Sequence, residues 1–474
     1  MIFGSFSVRA ALRILAPAAL ALLSNLAAAS PAGELRGPEL LGDQAPLFER
    51  ALSEMGITAD DFKIDTREMS FYNSDKYRLP MIDAFFENPW TISPYTRTMT
   101  QLMLNNAGKP STVVTAGNYR QGTIVRLDIP GYDALTRFSD AVNDEGVENL
   151  SAALGALSGR APEDFVTDEY NELPPNVRNA LTLFCLTLPE VLANRDAALT
   201  MPLARLGYDP EDVYRRVVEW VVDEPKEQPA PPEQAREDLI TIEALCDNID
   251  WGRLATGGTL FAHLVETIAA TLTAGDAPTL TPRLRFEADT PYGKIVVGGA
   301  GKDSYDPAVH YLLIIDTGGN DSYGTAGATR GFATPASAVI DLGGDDAYGT
   351  EERRAPSAGA GIFGYGMVLD LSGDDRYECK FLGQGLGIFG CGVLCDKSGN
   401  DFRNAIGNVQ GSGSFGTGVL IDNAGDDHYE LYVYGQGYAF TKGVGVLLDC
   451  AGSDRYLANN TDIVYSGPHS PVIN

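Results

Sequence analysis

The stretch GMVLDLSGDDRYE at residues 366–378 reads as an apolar strand, an aspartate, a glycine turn, a second aspartate and a tyrosine. The same order recurs along the chain as apolar residues followed by Asp-x-x-Gly-x-Asp-x-Tyr. The other copies are LIIDTGGNDSY (313–323), AVIDLGGDDAY (338–348), GVLCDKSGNDFR (392–403), VLIDNAGDDHY (419–429), LLDCAGSDRY (447–456) and the degenerate IVVGGAGKDSY (295–305). The stretch is therefore one unit of an internal repeat.

The spacing of the repeat indicates the fold. Successive first aspartates are separated by 25, 29, 26, 26 and 27 residues. A period near 26 is typical of one coil of a parallel β-helix with two or three short strands, whereas a β-sandwich needs turns every ~8–12 residues and no fixed register. We expect a right-handed parallel β-helix (solenoid) of about seven coils, the hand following from crossover chirality.

The chain divides by composition into two parts, which predicts an α + β protein. Of the 52 glycines, 35 fall in residues 286–474, the predicted Gly/Asp-rich β-helix domain. Residues 30–285 are predicted to form a mainly helical domain of unknown role. Its helical patterns are clearest at 95–108, 134–142, 209–222 and 257–275, and the Pro-rich segment 223–238 is expected to be an exposed loop. The degenerate first coil is expected to pack on the helical domain.

The first 29 residues have the pattern of a secretory signal peptide. Arg9 and Arg13 precede the apolar run at 14–23, and small residues at 26–30 offer a cleavage site after Ala29. The apolar run is too short to span a bilayer, and no later segment in the sequence is longer. We therefore expect a secreted or periplasmic protein without a transmembrane segment after cleavage.

The charge of the chain restricts its partners. The balance of 35 basic and 64 acidic residues gives a net charge of −29, which repels nucleic acid and attracts cations. The six cysteines match no zinc pattern. Cys185 and Cys246 are able to pair in the first domain, and Cys391 and Cys395 are interpreted as small core residues.

Stacking of the coils turns each repeated position into a column. At an interstrand distance of ~4.8 Å, unit charges repel by ~0.9 kcal/mol in water and by ~3.5 kcal/mol at an effective dielectric constant of 20. The first aspartate of each coil ends a strand, and its carboxylate is expected to accept backbone N–H groups of its own turn. This first column contains Asp316, Asp341, Asp370, Asp396, Asp422 and Asp449.

The second aspartate column is the candidate metal site. Its members are Asp321, Asp346, Asp375, Asp401, Asp427 and Asp454. The Gly-Asp-Asp-x-Tyr phrase around them resembles the later part of RTX-type calcium-binding repeats, in which aspartates and turn carbonyls hold calcium between coils. This resemblance covers about six residues per coil and implies calcium at the second column. Turns held only by hydrogen bonds remain the alternative.

Two further columns are predicted beside the aspartates. The tyrosines form an aromatic column, which Arg403 interrupts, and Gln384, Gln410 and Gln436 form an amide ladder that we expect to satisfy itself between coils. In the helical part, His263 is interpreted as a helix histidine with its hydrogen bonds satisfied.

The repeat favours a non-catalytic role. We expect an exported, acidic, calcium-binding solenoid that acts as a structural module or binds a ligand, a glycan or a cell surface. The alternative is a polysaccharide-active enzyme, a uronan lyase or glycoside hydrolase, because β-helices host such sites. An outward row of Arg376, Phe402, His428 and Arg455 suits either role. The catalytic residues of such an enzyme are not identified from the sequence.

Overall fold

A parallel β-solenoid follows a helical N-terminal region, as the repeat predicts, and it has about six turns rather than the expected seven. The computed structural model describes residues 38–61, 77–122, 150–222, 232–274, 278 and 280–458. The predicted signal peptide, the predicted helix at 134–142 and the C-terminal segment 463–474 lie outside the described residues.

Three sheets run along the solenoid. The strands are β1 (Arg285–Thr290), β2 (Gly293–Gly298), β3 (Tyr311–Asp316), β4 (Ser322–Gly324), β5 (Ala336–Asp341), β6 (Ala347–Thr350), β7 (Gly361–Ile362), β8 (Tyr365–Asp370), β9 (Arg376–Cys379), β10 (Gly387–Ile388), β11 (Cys391–Asp396), β12 (Phe402–Gly407), β13 (Gly413–Ser414), β14 (Thr417–Asp422), β15 (His428–Val433), β16 (Val444–Asp449) and β17 (Arg455–Ala458). The first sheet has the order β1-β2-β3-β5-β8-β11-β14-β16, the second β17-β15-β12-β9-β6-β4 and the third β13-β10-β7. Their pairs are parallel except β1 with β2, whose antiparallel hairpin covers the first edge.

The register of the first sheet matches the repeat residue by residue. Asp341, Asp370, Asp396, Asp422 and Asp449 are direct partners in adjacent strands. The central strands of this sheet are buried at every position. One face packs on the tyrosine column and the other belongs to the core shared with the helices, which explains their continuous apolar sequence.

The described helices of the N-terminal region account for most of its length. They are α1 (Ala45–Glu54), α2 (Pro80–Glu87), α3 (Ile92–Leu104), α4 (Pro110–Arg120), α5 (Leu150–Ser158), α6 (Asp168–Glu172), α7 (Pro175–Arg195), α8 (Met201–Leu206), α9 (Pro210–Val221), α10 (Pro232–Asn248) and α11 (Trp251–Leu272). Aspartate side chains cap α9 and α11, where Asp209 and Asp250 accept backbone N–H groups of the first turn. Part of the predicted loop at 223–238 is thus wrong, because α10 begins at Pro232.

The helices pack on the start of the solenoid, as predicted, where the rings of Tyr170 in α6 and Phe286 in β1 lie 6.2 Å apart. The contact also extends along the flank of the solenoid. Tyr365 in β8 donates a hydrogen bond from Oη to the carbonyl oxygen of Leu254 at 3.0 Å, and two coils further on Thr417 in β14 donates from Oγ1 to Asn118 Oδ1 at 2.6 Å. Helical and strand residues form one hydrophobic core. This longer contact is possible because the outer face of the sheet is as apolar as its inner face.

None of the helices in the described ranges is both long enough and apolar enough to cross a bilayer. No disulfide joins Cys185 to Cys246, and Cys391 and Cys395 are buried as predicted.

Candidate metal centre

The first aspartate column is held by its own turns, as predicted, and also by the tyrosines. Asp370 Oδ1 accepts the backbone N–H of Ser372 at 3.0 Å. Its Oδ2 accepts the hydroxyl of Tyr348, which belongs to the preceding coil, at 2.6 Å. The same two bonds recur in other coils, for example at Asp396 with Ser398 and Tyr377. The column is therefore an interface between coils as well as a turn element.

The tyrosines stack as a continuous inner column. Ring centroids of Tyr305, Tyr323, Tyr348 and Tyr377 lie 5.0, 4.6 and 4.7 Å apart with nearly parallel planes. These rings are buried. Their hydroxyls thus reach the first aspartates inside the solenoid rather than facing solvent.

The second aspartate column forms a ladder between coils. Asp375 Oδ1 accepts the backbone N–H of Asp346 at 2.7 Å, and Asp346 Oδ1 accepts that of Asp321 at 2.6 Å. The ladder continues through Asp401, Asp427 and Asp454 at 2.8, 2.7 and 3.0 Å. One oxygen of each carboxylate is therefore used by the backbone of the neighbouring coil.

The other oxygen of these carboxylates has no hydrogen-bond donor in most coils. The Oδ2 atoms that are buried without a hydrogen bond belong to Asp321, Asp346, Asp375 and Asp427. Asp375 is 1% exposed, so this oxygen is shielded from bulk water. A buried oxygen of this kind is costly unless a proton or a cation is present.

The first and second aspartate columns lie side by side, which the repeat alone does not predict. In the central coil the carboxyl groups of Asp375 and Asp370 face each other, although ionised carboxylates are acceptors only. Oxygen atoms of Asp346, Asp370 and Asp375 lie within 4.8 Å of one another. Equivalent groups are Asp303, Asp316 and Asp321; Asp321, Asp341 and Asp346; Asp375, Asp396 and Asp401; and Asp401, Asp422 and Asp427.

Burial changes the acidity of these groups. It raises the pKa of Asp375 to about 7 and that of Asp346 to about 9. It also raises the pKa of Asp316 to about 8 and that of Asp370 well above the ordinary value. The raised pKa values of these four groups favour a proton or a cation at their coils, because two ionised carboxylates facing each other in a buried site repel strongly.

The donor set fits a hard cation. Three carboxylate oxygens that lie within 4.8 Å of one another are able to bind one ion at the 2.3–2.6 Å typical of calcium–oxygen bonds. Calcium takes about six to eight oxygen ligands, so these three would form part of its coordination shell. The carboxylates would supply the hard ligands and most of the counter-charge. Two aspartates per coil also match the charge of one divalent ion per coil.

Glycine holds the coils close enough for this arrangement. Gly373 has a φ of +154°, and a Cβ atom there would lie 1.5 Å from the carbonyl oxygen of Gly344 in the preceding coil. The same close approach recurs at Gly399, Gly425 and Gly452, at 1.6 Å in each case. The glycine of the repeat is thus needed for stacking.

Two predictions concern residues outside the aspartate columns, namely the amide ladder of the glutamines and the helix histidine His263. The glutamines do not form a side-chain ladder: Gln384 Nε2 donates to the carbonyls of Tyr377 and Asn404 at 3.0 and 3.2 Å. His263 is buried in α11 with its Nδ1 3.2 Å from Ser111 Oγ. Burial lowers the pKa of His263 to about 4, as expected for a neutral helix histidine.

The outward row is present on the second sheet. Phe402 and His428 stack with ring centroids 5.1 Å apart, and the guanidinium of Arg376 lies 4.7 Å from the Phe402 ring. Arg455 is the next residue in register. Arg376 forms an ion pair with Glu378 at 3.0 Å, and Glu430 lies 3.6 Å from His428 Nε2, so the charge of Arg376 is partly compensated.

Three participants in the candidate site were missed from the sequence. Asp303 belongs to the second column of the degenerate first coil, and the phrase Gly-Lys-Asp-Ser-Tyr was the available signal. The first aspartate column was assigned only to turns because Asx turns explain one oxygen but not the other. Arg403 was noted as an irregularity without a partner.

A search of protein family models, curated proteins and solved structures found no match to this chain.

Proposed function

We propose that this protein is an exported structural module, a β-solenoid whose stacked aspartates bind calcium between coils. One observation carries the proposal: buried second-column carboxylates keep an oxygen without a donor while facing a first-column carboxylate. A divalent cation neutralises two carboxylates per coil and replaces the missing donor. Shared protons are the competing explanation of the same geometry.

Export supports calcium as the ion. Extracellular modules typically bind calcium with dissociation constants of ~0.1–1 mM, and the N-terminal pattern at residues 1–29 predicts export. Cleavage after Ala29 would leave a mature chain that begins at Ser30. N-terminal sequencing of exported material checks this, and an intact Met1 would contradict it.

Calcium binding is tested by titration of the purified protein with calcium, with magnesium as the competing ion. We expect Asp375→Asn to weaken calcium binding and to reduce the rise in melting temperature on adding calcium. The amide keeps an acceptor for the backbone N–H of Asp346, so the ladder bond is preserved. If calcium, magnesium and EDTA leave the melting temperature of the wild-type protein unchanged, the proposal is wrong.

Asp374→Asn is the matched control. Asp374 is exposed, and its Oδ1 accepts the backbone N–H of Asn400 at 2.8 Å, so the change removes the same charge one residue away while keeping an acceptor. We expect this variant to retain the calcium response. An equal loss in both variants would mean that general surface charge, and not the buried cluster, attracts calcium.

The outward row supports a role in presenting a ligand-binding face, and we propose a glycan as the ligand. Aromatic rings and arginines in register at the coil spacing are suited to repeating polar units. Binding to immobilised neutral and acidic polysaccharides, compared between wild type and Phe402→Ala, tests this role. Release of unsaturated ends from a uronan, measured by ultraviolet absorbance, would instead favour the lyase alternative.

A further inference from the structure

The coil that contains Arg403 differs from the others in what neutralises its carboxylates. Arg403 stands where the repeat has tyrosine, in register with Tyr377 and Tyr429. Its side chain is 0% exposed, and the guanidinium carbon lies 5.0 and 5.1 Å from the two tyrosine ring centroids. A charged group thus replaces a neutral ring within the aromatic column.

The guanidinium lies among the carboxylates of two coils. Its Nη2 atom is 2.6 Å from Asp422 Oδ2, 2.7 Å from Asp401 Oδ2 and 3.3 Å from Asp396 Oδ2. Its Nη1 atom is 3.6 Å from Asp427 Oδ1. Three of these aspartates, Asp401, Asp422 and Asp427, are one of the clusters able to hold a metal ion.

The comparison between coils identifies what Arg403 supplies. The Oδ2 atoms of Asp321, Asp346, Asp375 and Asp427 have no hydrogen-bond donor, whereas Oδ2 of Asp401 accepts one from Arg403. Of these four carboxylates, that of Asp427 has the Arg403 guanidinium beside it, 3.6 Å from its Oδ1. The guanidinium keeps its charge at every pH that a folded protein tolerates. Arg403 therefore supplies, as a side chain of the protein itself, the positive charge that the tyrosines of the other coils lack.

We propose that Arg403 is a built-in counter-ion that takes the place of the metal ion at the Asp401–Asp422–Asp427 cluster, so that the column of calcium sites is interrupted there. This inference rests on the proposed calcium-binding function. A divalent cation at this cluster would face the guanidinium among the same oxygens, and the two positive charges would repel each other. The Asp346–Asp370–Asp375 cluster has a tyrosine in this position and stays available to calcium.

Calcium counting on intact protein tests the inference. We expect Arg403→Tyr, which restores the repeat, to bind one more calcium ion per chain than wild type. We expect the reciprocal change, Tyr348→Arg, to bind one fewer, because it places a guanidinium beside Asp370 and Asp375. Arg376→Tyr is the control: it removes the same charge from an exposed position and should leave the number unchanged. Equal calcium counts in wild type, Arg403→Tyr and Tyr348→Arg would overturn the inference.

A measurement on the wild-type protein decides the question if the variants do not fold. Calcium-soaked crystals measured at long wavelength should show an anomalous peak among Asp346, Asp370 and Asp375 and none among Asp401, Asp422 and Asp427. A peak at the second cluster would overturn the role of Arg403 while leaving calcium binding intact. No peak at either cluster, together with no calcium in solution, would instead reject the proposed function on which the inference rests.

Discussion

At the scale of the residue, the buried aspartates carry both the stability and the candidate function. Each second-column carboxylate from Asp321 to Asp454 accepts a backbone N–H of the preceding coil with one oxygen, as Asp375 does from Asp346. The other oxygen is left to a proton or a cation. The same residue is therefore a structural element at low pH and a candidate ligand at high pH.

This double role predicts the pH dependence of stability. Burial raises the pKa of Asp346 to about 9 and of Asp375 to about 7, from ~3.9 in an unfolded chain. A carboxyl group with a raised folded-state pKa contributes stability that is fully present below ~3.9 and lost as the pH rises through its folded-state pKa. In EDTA, we expect the free energy of unfolding to fall by ~4 kcal/mol between about pH 4 and pH 7 on account of Asp375, and to fall further up to about pH 9 on account of Asp346.

Urea unfolding across this pH range checks the expectation. The proposed calcium ions would bind the ionised carboxylates, so their addition should restore stability most at the alkaline end. Asp375→Asn, which has no proton to lose, should flatten the curve measured in EDTA. A free energy of unfolding that rises with pH in EDTA would contradict the raised pKa values.

A second prediction at this scale concerns the glycine of the repeat. Gly373→Ala forces a Cβ atom against the carbonyl oxygen of Gly344 and a side chain onto a φ of +154°. We expect a loss of about 3 kcal/mol or more in the free energy of unfolding. Gly108→Ala is the control, since nothing lies within 4 Å of the added methyl group and the φ is not positive. Similar losses in both variants would remove the stacking explanation.

At the scale of the element, α11 lies against the solenoid because two glycines open its surface. A Cβ atom at Gly257 would lie 2.2 Å from Tyr365 Oη, and one at Gly258 would lie 2.7 Å from Cys391 Cβ. The helix therefore approaches β8 and β11 more closely than a side chain would allow. The sequence pattern of α11 predicted a helix but gave no sign of its partner.

The close approach reverses the usual effect of a glycine substitution in a helix. Glycine to alanine in an exposed helix interior stabilises by ~1 kcal/mol. We expect Gly257→Ala instead to destabilise by ~1–3 kcal/mol, as overpacking does, in thermal or urea unfolding. The exposed position Ala270 measures the ordinary effect: Ala270→Gly should cost ~1 kcal/mol. Stabilisation by Gly257→Ala would show that the helix is not held against the sheet.

At the scale of the whole molecule, the helices and the solenoid share one core. All three tryptophans of the chain, Trp90, Trp220 and Trp251, lie in the helical region. Trp251 stacks on Phe389 at 6.1 Å, and Trp220 packs on Phe415 at 5.9 Å. Both phenylalanines belong to a stacked column of the solenoid. Stabilisation of the coils should therefore also stabilise the helices against unfolding.

Calcium should then raise the melting temperature of both parts together. Binding to the folded state alone stabilises by ~2.7 kcal/mol per site at a hundredfold excess over the dissociation constant. We expect tryptophan fluorescence, which reports the helices, and circular dichroism in the β-sheet region to shift to the same midpoint. If calcium moves only the circular dichroism transition, the two parts are independent domains.

The amino-acid sequence was sufficient for the features that repeat locally. The coil length, the parallel register and the turn bond of each first aspartate are all contained in one 26-residue unit, as at Asp370 and Ser372. Stacking then copies them, because residues at equal positions must align when successive coils have nearly equal length. The aromatic column followed for the same reason, and so did the burial of Cys391 and Cys395.

The remaining features depend on contacts between residues that are far apart in the sequence. The pairing of the two aspartate columns into clusters depends on how far one coil is displaced against the next, and this stagger is not encoded in the period. The partners of Arg403 come from two coils, and those of α11 lie more than 100 residues along the chain. The contacts of α11 arise from packing of apolar faces, which is non-directional and does not specify a partner within a local sequence pattern. The contacts of Arg403 depend on which carboxylates the stacking of coils brings beside it.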